Sequence, residues 1–192
     1  MSTPSVTRLP AAERRRAILD AALRVFSTGS YAGATTAEIA REAGVSEPLL
    51  YRHFASKREL YFACLEEAWA RLLAAVDRGG SRTLGDAWGG VPRELKTLLP
   101  NLWVQAITEA GEDEEIRRFV RAHMRKVHDE FADAIRDAQA AGIVAADRDP
   151  NAEAWIFVGG TLLLAVADRL GGVVREGDFE AIRRERHRWL AG

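Results

Sequence analysis

The chain has 192 residues, 47% of them apolar and 29% charged, with a formal net charge of -1 and a single cysteine. That is ordinary globular composition, enough for one sizeable domain or two small ones, and it excludes an internal disulfide framework and any multi-cysteine zinc site. The near-zero total hides a split: residues 1–58 hold nine Lys/Arg against five Asp/Glu, a balance of +4, and the remainder holds 18 against 23, a balance of -5. Such a division is what a nucleic-acid-binding head on an acidic body shows. The opening MSTPSVTRLP lacks a signal peptide's apolar region, and the apolar run from Trp155 to Ala167 falls short of the roughly 20 residues of a membrane helix. A cytoplasmic protein without a membrane segment is therefore expected, with Cys64 as a small core residue.

Taken in chain order, the segments read as helix. Ile18, Ala22, Val25 and Phe26 form an apolar stripe of helical period over Ala11–Ser27, with Arg14, Arg15, Arg16 and Arg24 largely off it, and the helix should stop near Gly29. Thr35 and Thr36 followed by Glu38 and Glu42 predict a capped second helix that ends at Gly44. Ser46, with Glu47 and Pro48 behind it, predicts a third helix running to about Phe54. Helix, glycine turn, helix is the pattern of a helix-turn-helix. Ser56 opens a long fourth helix through Leu60, Cys64, Ala68, Leu72 and Val76, with a break at Gly79 and Gly80. Further helices are predicted over Pro92–Ala110, Glu112–Ala141, from DRDPNAEAW to Leu170, and over GDFEAIRRERHRWL. No alternating strand pattern or internal repeat occurs. The fold class expected is all-α, with a head over residues 10–58 and a helical body over residues 59–192.

A short helix enters the ~12 Å wide major groove with its exposed face and N-terminal end. Glu47, Pro48, Tyr51 and Arg52 fall on or near that face, with Leu50 and Phe54 turned inward. Thr36, Tyr51, His53 and Lys57 suit phosphates beside the groove, and Ser46 completes the DNA-binding set. Tyr51 also fits as a partly buried aromatic, His53 as a helix-end residue, and Arg14–Arg16 as a solvated face. Glu47 suits the positive end of a helix, and it also suits acceptance of a hydrogen bond from cytosine N4.

With these positions placed, FSTGSYAGATTAEIAREAGVSEPLLYRHFASKRELYFA resembles the DNA-binding domain of the TetR family of bacterial transcriptional regulators, through its Leu-Tyr-x-His-Phe-x-Ser-Lys-x-x-Leu signature. The resemblance covers residues 12–62 and implies DNA contacts, mostly to the backbone, from Thr36, Glu47, Pro48, Tyr51, His53 and Lys57. One helix-turn-helix makes few phosphate contacts, so a homodimer on a near-palindromic operator of double-stranded DNA is expected. The resemblance places the dimer interface on the last two long helices; Ile156, Gly159, Gly160, Leu163 and Val166 are the candidates, and a helix buried inside a monomer is the competing account. It also implies a small-molecule effector site in the body. Trp88, Leu102, Trp103, Ile107, Phe119, His123, Met124 and Trp155 are candidates for an apolar effector, and ordinary core packing explains each of them as well.

No GxGxxG, P-loop, HExxH or GxSxG motif and no metal-ligand spacing is present, so no enzyme, cofactor or metal is expected. The function expected is a repressor released from its operator by a largely apolar molecule. An activator, a ligand-independent regulator, or a binding module with a degenerate head share parts of the same pattern.

Overall fold

The computed structural model describes residues 10–78, 91–171 and 173–191, and every regular element among them is a helix. The chain divides into two compact units, Met1–Cys64 and Leu65–Gly192, with the division falling inside the long fourth helix.

The first unit is built on α1 (Ala11–Thr28), α2 (Thr36–Glu42), α3 (Glu47–Tyr51) and the start of α4 (Lys57–Arg78). Helix α1 buries Ile18, Ala22 and Phe26 of the predicted stripe, with Val25 half-buried and Leu19 buried beside it, and ends where Gly29 donates to the Val25 carbonyl. Phe26 meets Tyr61 edge to face at 4.9 Å, and both rings are wholly buried with Ile39, Leu50 and Leu60. Each such side chain contributes about 1.5–3 kcal/mol through burial, so this cluster holds the two short helices α2 and α3, which would not persist alone.

The caps follow the sequence. Thr35 Oγ1 accepts from the Glu38 amide at 3.1 Å. At the other end Gly44 takes φ +68°, a left-handed conformation that costs residues with a Cβ. There Val45 N donates to Ala40 O and Gly44 N to Arg41 O, closing the helix.

Helix α3 is shorter than expected. It stops at Tyr51 instead of running to Phe54, because the amides of Arg52 and His53 bond back only three residues, to Leu49 and Leu50. That tightening turns Phe54 into the core, where it is 1% exposed. Ser46 holds the N-cap position in extended backbone, but its hydroxyl makes no cap bond. A reciprocal cap does form at α4, where Ser56 Oγ accepts from the Glu59 amide and Glu59 Oε2 accepts from the Ala55 amide.

In the second unit α5 (Arg93–Glu109), α6 (Glu114–Ala140) and α7 (Pro150–Leu170) pack against one another, and α8 (Glu176–Ala191) follows. Asp113 caps α6 through the amides of Glu115 and Ile116, which starts it two residues later than Glu112. Gly142, at φ +71°, ends it. The α6–α7 loop is held by Gln139 Nε2, which donates to the carbonyls of Ala145 and Arg148. Pro100 lies inside α5, where its ring removes one backbone donor.

Helix α7 runs to Leu170 as expected and extends over 21 residues; its apolar stretch is longer than the run from Trp155 suggested, since the window Pro150–Ala167 has mean hydropathy 1.3 and by length and composition alone could cross a membrane. One face carries Ala154, Val158 and Ala165 into the unit, together with the buried carboxylate of Glu153. Arg186 of α8 donates to that carboxylate at 2.6 Å.

Candidate nucleic-acid interface

Helices α2 and α3 are joined at their exposed side by a chain of hydrogen bonds. Thr36 Oγ1 donates to Glu47 Oε1 at 2.6 Å and lies 3.0 Å from Tyr51 Oη. A threonine hydroxyl has one proton, so with that proton on the carboxylate it is Tyr51 that donates to Thr36. Glu47 is thus an acceptor already engaged by its own protein, and it ties the two helices in a fixed register. Thr36 is itself 8% exposed, so its proton is not presented to solvent in this arrangement.

The same accounting applies to Lys57. Its ammonium donates to the carbonyls of Tyr31 at 2.9 Å and Ala34 at 3.1 Å, and lies 4.5 Å from the centre of the Tyr31 ring. Two of its three N–H groups hold the loop between α1 and α2 against the start of α4, leaving one for a phosphate. Phosphates only accept, so the groups able to meet them are donors not already spent: that N–H, exposed Arg52, half-buried His53 and the Ser46 hydroxyl. Tyr51 is 46% exposed, with its proton directed to Thr36. Pro48 is exposed between Glu47 and Tyr51. Six of the eight proposed positions thus lie on α3 and the turns beside it, Lys57 opens α4, and Thr36 joins them through Glu47 and Tyr51.

Two participants were missed in the sequence. Tyr31 packs between Lys57 and Tyr61, 4.8 Å from the latter ring, and nothing local to it signals that role. Glu59 carried a legible signal, the Ser-x-x-Glu spacing from Ser56.

The body candidates separate into groups. Trp103 and His123 are buried, with rings edge to face at 5.9 Å, and Phe119 stacks on His123 at 5.7 Å. Leu102 is wholly buried, Met124 half-buried and Ile107 exposed. Trp155 stacks instead on His128 at 4.4 Å, and Trp88 lies outside the described residues. Next to this cluster is a cavity of ≈ 10 Å³ lined by Trp69, Leu99, Pro100, Trp103, Phe131 and Phe157 among others, room for about one water. Ile156, Leu163 and Val166 are 53%, 54% and 41% exposed, and a Cβ added at Gly159 or Gly160 would meet nothing within 4 Å. These five positions recur at helical spacing on one open face of α7, so the helix is not buried on all sides.

Burial, and after it the charge of Lys126, pushes the His123 imidazole down from 6.5 to about 4. The unfolded chain therefore takes up a proton below pH 6.5 that the folded chain refuses until about pH 4. Stability from this residue is complete above pH 6.5 and falls towards pH 4, by roughly 3 kcal/mol at most. Urea unfolding at pH 7 and 4.5 is expected to show a smaller acid loss in His123→Phe than in the parent; equal losses would remove His123 from the account.

Residues 18–64 match the profile of the bacterial regulatory proteins of the tetR family. The HTH-type transcriptional activator FasR of Mycolicibacterium smegmatis is 48% identical over 79 residues, 41% of this chain and 36% of FasR. The HTH-type transcriptional regulator BetI of Rhizobium meliloti is 30% identical over 131 residues, 64% of each chain. The matches thus span about a third of the first relative's length and just under two thirds of the second's. A TetR-family regulator from Rhodococcus sp. has the same fold, with a TM-score of 0.79 at 24% identity over 93% of this chain and 99% of that one.

Proposed function

We propose that the chain, whose residues 18–64 match the tetR family of bacterial regulatory proteins and whose relatives compared above are named regulators of transcription, is a homodimeric cytoplasmic repressor. It binds a near-palindromic operator through Thr36, Ser46, Glu47, Pro48, Tyr51, Arg52, His53 and Lys57, within a head over residues 10–58. The observation that carries this reading is the Tyr51–Thr36–Glu47 hydrogen-bond chain, which holds α3 on α2 while leaving Pro48 and Arg52 on the exposed side. Glu47 acts here as a positioning residue. Its Oε1 is engaged within the protein, and this reading assigns base contacts to its neighbours.

The body, residues 59–192, supplies dimerisation and control. The open apolar face of α7 matches the surface that a second copy covers, and Gly159 and Gly160 allow close approach of the two backbones. A small, largely apolar effector binds beside Trp103 and His123 and releases the operator. It does so by preferring a conformation in which the two heads are wrongly spaced. An activator is the second reading, favoured by the name of the FasR relative, and it uses the same head and body.

The test is a gel-shift titration against the protein's own upstream DNA at two salt concentrations, alongside sedimentation equilibrium. Specific, salt-sensitive binding by a dimer is expected, and Glu47→Gln should keep the same base preference with affinity within about threefold, since glutamine still accepts from Thr36. Absence of specific binding at sub-micromolar protein defeats the regulator reading. A changed base preference in the variant defeats only the positioning role of Glu47.

A further inference from the structure

Among the buried side-chain atoms of the second unit that lack a hydrogen-bond partner, Trp103 Nε1 and His123 Nε2 stand out because they belong to neighbouring rings. Their residues are 2% and 4% exposed, on α5 and α6, with ring centres 5.9 Å apart. Buried donors and acceptors are almost always paired, because each loses its water on folding and gains nothing in return. Two such atoms on touching rings are a concentrated departure from that rule. Apolar packing alone does not ask for ring nitrogens at these positions, since an aromatic ring without one packs there without an unpaired polar atom.

The surroundings say what would satisfy them. Trp103 also lines the cavity of ≈ 10 Å³, whose wall is formed by Leu72, Leu99, Pro100, Val127, Phe131 and Phe157. The hydroxyl of Thr161, which lines it too, already donates to the Val158 carbonyl at 2.8 Å. A lone water bridging the two atoms would have only those two partners, the fewest a buried water takes, and would leave the apolar wall without contacts. An apolar molecule that opens this space and carries one oxygen does better, because the oxygen accepts from Trp103 Nε1 while its apolar remainder replaces cavity.

Resting on the reading of the body as an effector domain, we propose that Trp103 Nε1 and His123 Nε2 are the polar anchor of the effector site and select an uncharged, largely apolar molecule bearing one hydroxyl or carbonyl oxygen. The imidazole is held neutral near pH 7, so it presents a single donor or acceptor to a hydroxyl or carbonyl and no charge to a carboxylate. A quaternary ammonium has no acceptor for the indole N–H and would leave both atoms as they are. Both charged classes would also give up hydration to an apolar wall.

Four probes of one chain length decide it: octan-1-ol, octan-2-one, octanoate and octyltrimethylammonium, titrated into the full chain with thermal unfolding and operator release as readouts. The alcohol or the ketone is expected to raise the Tm and release DNA, and the two ions to do neither. Trp103→Phe, which keeps an aromatic ring and loses the N–H, should weaken that binding at least fivefold, read against its own ligand-free Tm because the smaller ring also enlarges the cavity. His123→Phe should do the same and serves as the second variant if the first is misfolded. Equal affinity in both variants, or preference for either ion, overturns the anchor and leaves the effector reading intact. If no probe binds the parent chain, the anchor and the apolar-effector reading fall together.

Discussion

Lys57→Met is expected to weaken operator binding tenfold or more and to destabilise the first unit by about 2 kcal/mol. The two effects have separate causes in one side chain. Charge-assisted hydrogen bonds contribute about 1.5–3 kcal/mol each when well shielded, and Lys57 makes two, to the carbonyls of Tyr31 and Ala34. The group is half-buried and water reaches it, so each bond falls below that range, to about 1 kcal/mol. Methionine keeps the stem and loses every donor, leaving both carbonyls to find water and the Tyr31 ring without its cation. The loop between α1 and α2 then loosens, and α2 with it, so the phosphate contact and the geometry around it go together. Urea unfolding and gel-shift titration on the same preparations test this. If affinity falls with no change in stability, Lys57 is only a phosphate clamp and its internal bonds carry nothing.

A still larger cost is expected from Arg186→Leu, about 3–5 kcal/mol. The Glu153 carboxylate is 5% exposed, and Arg186 donates to its Oε2 at 2.6 Å while reaching the Glu153 carbonyl at 3.4 Å. Removing the guanidinium takes away the Arg186 charge and its hydrogen bonds, and that share of the offset to desolvation is lost. Removing both partners is a different experiment. Leucine at 186 with methionine at 153 takes the charge out altogether, and such exchanges of a buried ion pair for apolar residues are often neutral. The double variant should therefore recover at least half of the loss, a coupling visible in a double-mutant cycle. A cost below about 1 kcal/mol for the single variant would mean that α8 is free to leave α7. Because α7 bears the proposed dimer face, the same variants are also expected to weaken association in sedimentation.

Much of this was readable from residue order alone. The helix stripes, the cap at Thr35, the glycine at 44, the cap at Ser56 and the start of α7 after Asp149 depend on residues within five positions of one another, and local backbone chemistry settles them. The family signature and the charge split are likewise properties of the string. Helix α3 was read too long because five residues have no helical stability of their own, and its end is set by where Phe54 finds the core.

Other features were decided only in three dimensions. Thr36 and Tyr51 are 15 residues apart and Lys57 is 26 from Tyr31, so no spacing rule predicts which donor meets which acceptor. The candidate effector set was chosen by residue type, and tertiary packing divided it into a Trp103–Phe119–His123 cluster, a separate Trp155–His128 stack and an exposed Ile107. Glu47 shows the difference most plainly. Its position at a helix start was written in the sequence, but a carboxylate there can serve the helix, the DNA or a neighbour. The fold chose the neighbour by bringing the Thr36 hydroxyl within 2.6 Å, since a hydrogen bond is made by distance and direction, which residue order alone does not contain.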